Sequence, residues 1–453
     1  MKKQRLLESD FHIGIVGGGL AGLSAALSIV RSLDGGGGNR RGNRRGRVTV
    51  YERDLSPRDR REGYGMTLTY DPSGPLARLG VLEDVARRDC PSRCHYLFDG
   101  GGRVMGYYGN AFRGGGDGRG AGQRGNLRVP RGELRDVLME ALREQDGGSI
   151  VTVEWGKRLR SYVDRPMLER LDELRASGSK KKKVVGPSKS EADSRDMRRP
   201  VLLNFEDGQS SEVDLLVGAD GVNSTVARQY LSTATTFGKK RKKSGGDFGG
   251  EEGSGGGEDA DETPPQVHPR RVGIFVILGI ADHIHPLIDE RAYHTLDGTS
   301  RLFLMPFEGS RLDDLLADGS GGGDGSAARR RTMWQLSFPA DRDEGSRLGT
   351  MSPDELKHEV VRRCGEWHEP FPGMVRSTPS RTVWGTSLLD RDPRAFLDHR
   401  AGLEVHGRLP SRVVLVVSIS LFAPSFIVRA PSRVLPLLKY VMFLTSSPAL
   451  MTG

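Results

Sequence analysis

The sequence predicts an α/β fold in which an N-terminal strand-helix-strand unit is interleaved along the chain with a mixed β-sheet unit. Three observations carry this expectation. At 11–33, FHIGIVGGGLAGLSAALSIVRSL, an apolar β-type run passes through a glycine cluster into an Ala/Leu-rich helical stretch. At 47–52, RVTVYE reads as a second strand ending in an acid. At 213–231, VDLLVGADGVNSTVARQYL, a buried-type strand from Val213 to Val217 runs into Gly218-Ala219-Asp220-Gly221 and then a helix begun near Asn223 or Ser224.

The first element carries the chemistry. Gly17-Gly18-Gly19-Leu20-Ala21-Gly22 is a G-x-G-x-x-G placed between a strand and a helix, the setting in which that spacing binds a dinucleotide. Gly17 permits the tight turn, Gly19 lets the backbone approach a pyrophosphate, and Gly22 lets the helix pack against the strand. The free amides and positive dipole end of the helix, at Leu20 and Ala21, then face the phosphates. Glu52 lies 35 positions beyond Gly17, or roughly 22 once a glycine-arginine insert is removed, near the spacing of a ribose-binding carboxylate. Arg53 follows it at the mouth of the site. Strand, motif, helix, strand and acid together make the N-terminal unit Rossmann-like. Glycine spacing alone does not separate NAD from FAD.

The next elements in order are a short extended piece and a helix at 127–142, LRVPRGELRDVLMEAL, with Leu134, Leu138 and Leu142 on one helical face and Arg131 at its start. Asp220, at a strand-to-helix turn, suits either a close-packed cofactor or a helix N-cap. Val272–Ile280, Ser300–Phe307 and Thr332–Phe338 read as strands of the second unit.

Five biased stretches interrupt these elements: 34–46, 113–125, 165–199, 232–271 and 309–331, together about 124 residues. They explain why a 453-residue chain holds 62 glycines and only 6% aromatic residues. The first three carry net charges of about +3, +2 and +5 and the last two are neutral, so the formal +9 of the chain resides in them. Solvated surface loops are the expected state of these inserts. The basic balance is therefore no sign of nucleic-acid binding, since no aromatic-interleaved basic face accompanies it. Three cysteines cannot form a disulfide framework, and Cys90 and Cys94 lack C-x-x-C spacing. His283 and His285 have no third ligand spaced to complete a metal site. The ten residues before the first strand are too short for a targeting signal, and a cytoplasmic setting is expected.

Taken together, IVGGGLAGLSAA with YERD, VPRGELRDVL, LLVGADGVNSTV and the C-terminal approach WGTSLLDRDP through PSRVVLV resemble the single-component FAD-dependent monooxygenases of the para-hydroxybenzoate hydroxylase type. The resemblance implies a Rossmann-like FAD/NAD(P)-binding domain (11–60, 126–164, 200–231 and 396–417) interleaved with a mixed β-sheet substrate domain (61–112, 272–308 and 332–395). It implies FAD as cofactor, NADPH or NADH as co-substrate, and O₂ activated through a flavin C4a-hydroperoxide to hydroxylate or epoxidise a small aromatic or isoprenoid-like molecule. FAD would lie against Gly17, Gly19, Leu20, Ala21, Gly22, Glu52, Arg53, Gly65, Arg131, Asp220 and Gly221. Phe303, Met305 and Trp334 are the implied substrate-pocket residues. The flavin is the reactive group, so no side-chain catalytic constellation is expected. A halogenase is disfavoured by the absence of W-x-W-x-x-I-P, whereas an FAD-dependent reductase on the same fold remains an alternative.

Two departures from the family stand out. Ala227 occupies the place of an arginine in the DG segment, with Arg228 following. After Val416 the family continues with a GDAAH-P-type segment, whereas this chain reads VSISLFAPSFIV and holds no G-D-A anywhere. Residues 418–453 are thus expected to be an atypical tail without helix or strand periodicity, read from a retained intron or a shifted frame. A membrane-associating tail and a truncated relative that cannot hold FAD are the alternatives. The uncharged run from Val413 to Val428 is short for a spanning helix, and Lys439 interrupts the next apolar patch.

Overall fold

A computed structural model describes residues 11–34, 46–57, 59, 64–90, 94–109, 126–146, 151–164, 200–232, 268–282, 284–308, 330–391, 413–418 and 425–429, the last two segments as backbone. The five biased stretches lie outside the described residues apart from a few at their edges, as does His283. Two compact units emerge, one drawing its residues from 1–56, 142–270 and 390–443, the other from 57–141, 271–389 and 444–453.

The first unit is built on a six-stranded sheet in the order Ser425–Arg429, Val413–Ser418, Leu215–Gly218, His12–Val16, Arg47–Tyr51, Val151–Glu154. Near its centre lies His12–Val16, where Ile13 stands beside Leu215 on one side and Val48 on the other, both parallel. Strands buried on both faces should be continuously apolar, and Ile13, Ile15, Val48, Val50, Leu216 and Val217 are all buried. Helix Leu20–Asp34 connects the first two strands and buries Leu23, Leu27 and Val30. A separate antiparallel sheet, Ser210–Val213, Val201–Phe205 and Leu159–Asp164, packs Phe205 and Tyr162 into one core with Tyr51 and Tyr230.

Two expectations change here. The strand expected at 213–217 is two, Ser210–Val213 and Leu215–Gly218. Asp214 between them is held by His12, whose amide donates to the Asp214 carboxylate (2.8 Å) while the Asp214 amide donates to the His12 carbonyl (2.8 Å). The tail, expected to lack periodicity, contributes Ser425–Arg429 antiparallel to Val413–Ser418, which itself runs parallel to Leu215–Gly218.

The second unit holds a mixed seven-stranded sheet in the order Val383–Asp390, Arg270–Ala281, Arg331–Pro339, Arg301–Phe307, Arg291–Leu296, Cys94–Asp99, Val104–Gly109. Arg291–Leu296 and Cys94–Asp99 pair in parallel within it. Helices Pro353–Cys364 and Phe371–Ser377 bury Leu356, Val360, Phe371 and Met374 in one core with Phe275, Leu304, Trp334 and Leu336 on one sheet face. The first of these helices starts at a capping box between Ser352 and Glu355. The other face carries Ile280, Ala292, Met305, Phe307 and Met333. A two-stranded sheet pairs Gly65–Thr69 with Asn126–Pro130, so 126–130 joins this unit rather than the dinucleotide unit to which the sequence reading assigned it. Helix Arg131–Asp146 follows, with Leu134, Leu138 and Leu142 buried.

Candidate functional site

In the first unit the glycine turn is fixed by its neighbours. Gly17 has φ +106°, a conformation that L side chains rarely adopt, and a Cβ there would overlap the Ala219 carbonyl. Its amide donates to the Tyr51 carbonyl at 2.8 Å, and the Ala219 amide donates to the Val16 carbonyl at 2.8 Å, so the turns after three strands meet. A Cβ on Gly22 would overlap the Gly17 carbonyl, which is the close helix-to-strand packing the third glycine serves.

Phosphate donors follow from where the helix begins. The Leu23 amide makes the bond to the Gly19 carbonyl (3.0 Å) that closes the first turn. The amides of Gly19, Leu20, Ala21 and Gly22 precede it, at the positive end of a 15-residue helix. Glu52 is buried to 1% exposure at the end of Arg47–Tyr51. One of its carboxylate oxygens accepts from the Gly18 amide at 2.6 Å and the other from the Asp54 amide at 3.1 Å. As a carboxylate it is acceptor-only, the chemistry that hydroxyl donors of a ribose call for. Arg53, next in sequence, is exposed.

Asp220 accepts from the Ser224 hydroxyl, from the Thr225 amide at 2.7 Å and from the Val226 amide at 3.3 Å. Ser224 in turn accepts from the Ala227 amide at 2.9 Å. Both side chains therefore cap the helix at 225–232, the structural role open to Asp220 from its sequence. Burial raises the Asp220 pKa, opposed by these hydrogen bonds. Gly221 beside it has φ +82° and open space where a Cβ would stand. Sequence reading missed a further group here: buried Arg391, whose Nε donates to the Val222 carbonyl at 2.5 Å.

In the second unit, Gly65 donates its amide to the Met333 sulfur at 2.9 Å, and a Cβ there would press on Met305. The Arg131 amide donates to the Tyr64 carbonyl (2.9 Å), and its guanidinium lies 5.9 Å from the Tyr64 ring centre. Phe303 and Met305 share one sheet face, because antiparallel partners Phe303 and Gln335, and Met305 and Met333, stand directly opposite. Trp334 lies on the opposite sheet face from Phe303 and Met305. Alternation along Arg331–Pro339 turns it to the other face, where it is fully buried beneath the helices and donates its Nε1–H to the Thr378 hydroxyl at 3.0 Å. Met333 and Gln335 take the positions beside Met305 and Phe303.

That face also carries two histidines which sequence reading did not single out. His294 lies opposite Phe303 with ring centres 4.9 Å apart, and His95 stacks on His294 at 5.7 Å. Arg301 donates to His294 Nδ1 from Nε (3.3 Å) and Nη2 (3.2 Å), and Arg128 Nη2 donates to His95 Nε2. Burial, with the guanidiniums nearby, lowers the His95 pKa to about 3 and that of His294 to about 4. Buried Cys90 accepts from the Glu308 amide at 3.2 Å, and burial pushes its thiol up to about 12. Among the described residues no cluster suited to a metal ion occurs, and no helix is long and apolar enough to cross a membrane.

A mainly parallel sheet opened by a glycine-rich turn, together with a mixed sheet backed by helices, is a fold shared with solved FAD-containing monooxygenases, which have a Rossmann-like FAD domain and a substrate domain. Solved structures bear this out. The chain superimposes on 2,6-dihydroxypyridine-3-hydroxylase from Arthrobacter nicotinovorans with a TM-score of 0.53, at 16% identity over 96% of this chain and 81% of that one. It superimposes on Klebsiella pneumoniae HpxO complexed with FAD and uric acid with a TM-score of 0.52, at 17% identity over 85% of this chain and 70% of that one. At these identities the likeness is one of fold. In sequence the chain resembles YetM of Bacillus subtilis (strain 168), assigned as an FAD-dependent monooxygenase, with 24% identity over 224 residues. That match covers 49% of this chain and 46% of YetM, so it spans about half the length of the curated relative. No family model matches the chain.

Proposed function

We propose that the chain is an FAD-dependent monooxygenase that uses NAD(P)H and O₂ to hydroxylate or epoxidise a small aromatic or isoprenoid-like substrate. The observation that carries this reading is the turn at Gly17 to Gly22, where the amides of four residues precede the first helical bond and a buried carboxylate, Glu52, stands at the adjacent strand end. These residues fit the ADP half of FAD: amide donors for phosphate oxygens, acceptor capacity for ribose hydroxyls, and turns that a Cβ at Gly17 or Gly22 would fill. Asp220 and Gly221, Gly65 and Arg131 are the further residues we assign to the cofactor.

When bound, the flavin supplies hydride acceptance and oxygen activation, chemistry that protein side chains do not provide. The chain's own part is to bind, orient and exclude water. Gly19 to Gly22 fix the phosphates, Glu52 fixes the ribose, and Phe303 and Met305 offer an apolar lining for a substrate ring. Asp220, held by three donors, keeps the Gly221 turn in place at the start of its helix.

A second reading is a relative that cannot hold FAD, and one observation favours it: VSISLFAPSF stands where the family has its G-D segment. NADPH or NADH oxidation by the FAD-supplemented full-length chain, stimulated by a phenol and yielding oxygenated product, is the expected result. Absence of both stimulation and product across a panel of phenols would favour the second reading.

A further inference from the structure

We propose that Arg391 is a positioning residue for the Gly221 turn, pinning it through the Val222 carbonyl and serving as the buried counter-charge of Asp220. Its part in holding FAD rests on the cofactor assignment of that turn, whereas the charge pair stands independently of it.

Arg391 follows the strand Val383–Asp390 and meets the turn from 169 positions away in sequence. It is only 4% exposed, and arginine is seldom buried to that degree without a partner. Its Nε donates to the Val222 carbonyl at 2.5 Å, one residue beyond Gly221, whose φ of +82° makes the turn. The bond therefore fixes the exit of the turn. Asp390, the acid next to Arg391 in sequence, is engaged by Arg270, from Nε at 2.9 Å and Nη2 at 2.5 Å. The opposite charge that acts on Arg391 is Asp220, and Arg228 opposes it. All of these residues belong to the first unit.

The surroundings of Asp220 show what Arg391 adds. The Ser224 hydroxyl and the Thr225 and Val226 amides are neutral donors, which satisfy the carboxylate oxygens without balancing their charge. Arg228, the cation of that helix, is exposed and donates to the Thr225 hydroxyl at 3.1 Å. From Leu159–Asp164, Tyr162 also feels Asp220, with Asp164 and Tyr230 beside it, and burial keeps it a protonated phenol. Of these groups Arg391 is the buried cation. Burial already penalises the charged form of Asp220, and removing one member of a buried charge pair leaves the other uncompensated. Without Arg391 the Asp220 pKa rises further. A carboxyl whose folded pKa is raised costs stability at high pH, and that cost fades as pH falls through the folded pKa and the group takes up a proton. A packing role for Arg391 carries no such dependence.

Urea unfolding of the full-length chain without FAD, from pH 8 to pH 5, tests the pair. The fall in urea midpoint caused by Arg391→Met, relative to the wild type at the same pH, is expected to be largest at pH 8 and to shrink toward pH 5. Arg391→Met/Asp220→Asn, which buries neither charge and keeps an acceptor for the amides, should fall by less than the two single variants together, by the same amount at every pH. Arg391→Lys, which keeps a cation, should recover part of the loss. A loss of equal size at every pH, additive losses, or an Arg391→Met chain as stable as the wild type overturns the pair. Should Arg391→Met alone not fold, the double variant is still expected to, and its failure as well would overturn the pair. On the same samples Arg391→Met should raise the FAD dissociation constant by about tenfold, the loss of a hydrogen bond from a charged group. FAD binding unchanged in Arg391→Met overturns the positioning role. A wild type that takes up no FAD but shows the pH-dependent loss removes the cofactor reading and leaves the pair, whereas FAD uptake without that loss removes the pair alone.

Discussion

The Gly18 amide donates to the buried Glu52 carboxylate at 2.6 Å, tying the glycine turn after the first strand to the end of the second. Replacing the carboxylate leaves two amides, Gly18 and Asp54, without this acceptor. Glu52→Ala is expected to lower stability by about 1–3 kcal/mol and to weaken FAD retention. Thermal melts with and without FAD read both effects. A variant as stable and as yellow as the wild type would contradict the double role.

Gly22 and Gly19 separate packing from ligand approach. A Cβ at Gly22 overlaps the Gly17 carbonyl, so Gly22→Val should destabilise the apoprotein, with a loss of about 1–3 kcal/mol from overpacking visible in urea unfolding. Gly19→Val should instead leave the melt largely unchanged and abolish FAD retention. Undiminished flavin absorbance in Gly19→Val would count against the phosphate assignment.

Asp220 and Ser224 form one cap, so their loss should be non-additive. Asp220→Ala removes the acceptor of the Thr225 and Val226 amides and should cost about 1–2 kcal/mol. The double variant with Ser224→Ala should be more stable than the sum of the single losses implies, as expected for partners in one network. Strict additivity in chemical denaturation would show that the two caps act independently.

Acid should destabilise the second unit before it reaches ordinary carboxylate pKa values. His95 and His294 are held neutral, with pKa values lowered from 6.5 to about 3 and about 4 by burial and by neighbouring guanidiniums. Below pH 6.5 the unfolded chain then binds more protons than the folded one, so stability declines as pH falls from 6.5 toward about 4 and about 3. Glu359 adds to the same trend lower down. Its hydrogen bonds to Arg362 and Arg363 hold it at about 2 against an ordinary 4.5, and that stabilisation disappears as pH drops through this range. Urea midpoints at pH 7 and pH 5 should differ in the wild type and converge in His95→Phe/His294→Phe. Equal wild-type midpoints would contradict the buried neutral pair.

Local pattern carried the sequence reading furthest. Strand, turn and helix from Phe11 to Leu33 involve neighbours in sequence, and glycine there reports a backbone constraint that composition preserves. Asp214 was harder to foresee, because the strand break depends on His12, some 202 positions away. Trp334 shows a different limit: the strand was legible, but which of its faces meets the helices depends on the register with Arg301–Phe307 and on Thr378. For His95 and His294 the sequence offered no signal, since Arg301 meets His294 only through strand pairing and Arg128 meets His95 from a strand of a separate sheet. The tail strand Ser425–Arg429 was hidden because SFIVR alternates with no clear period.

The central claim is that the turn at Gly17 to Gly22 and Glu52 hold FAD. Its most direct measurement is the FAD content of the full-length chain after purification and incubation with excess FAD. One FAD per chain, with flavin absorbance that survives desalting and is lost in Gly19→Val, is the predicted result. A folded, colourless wild-type chain that takes up no added FAD would contradict it.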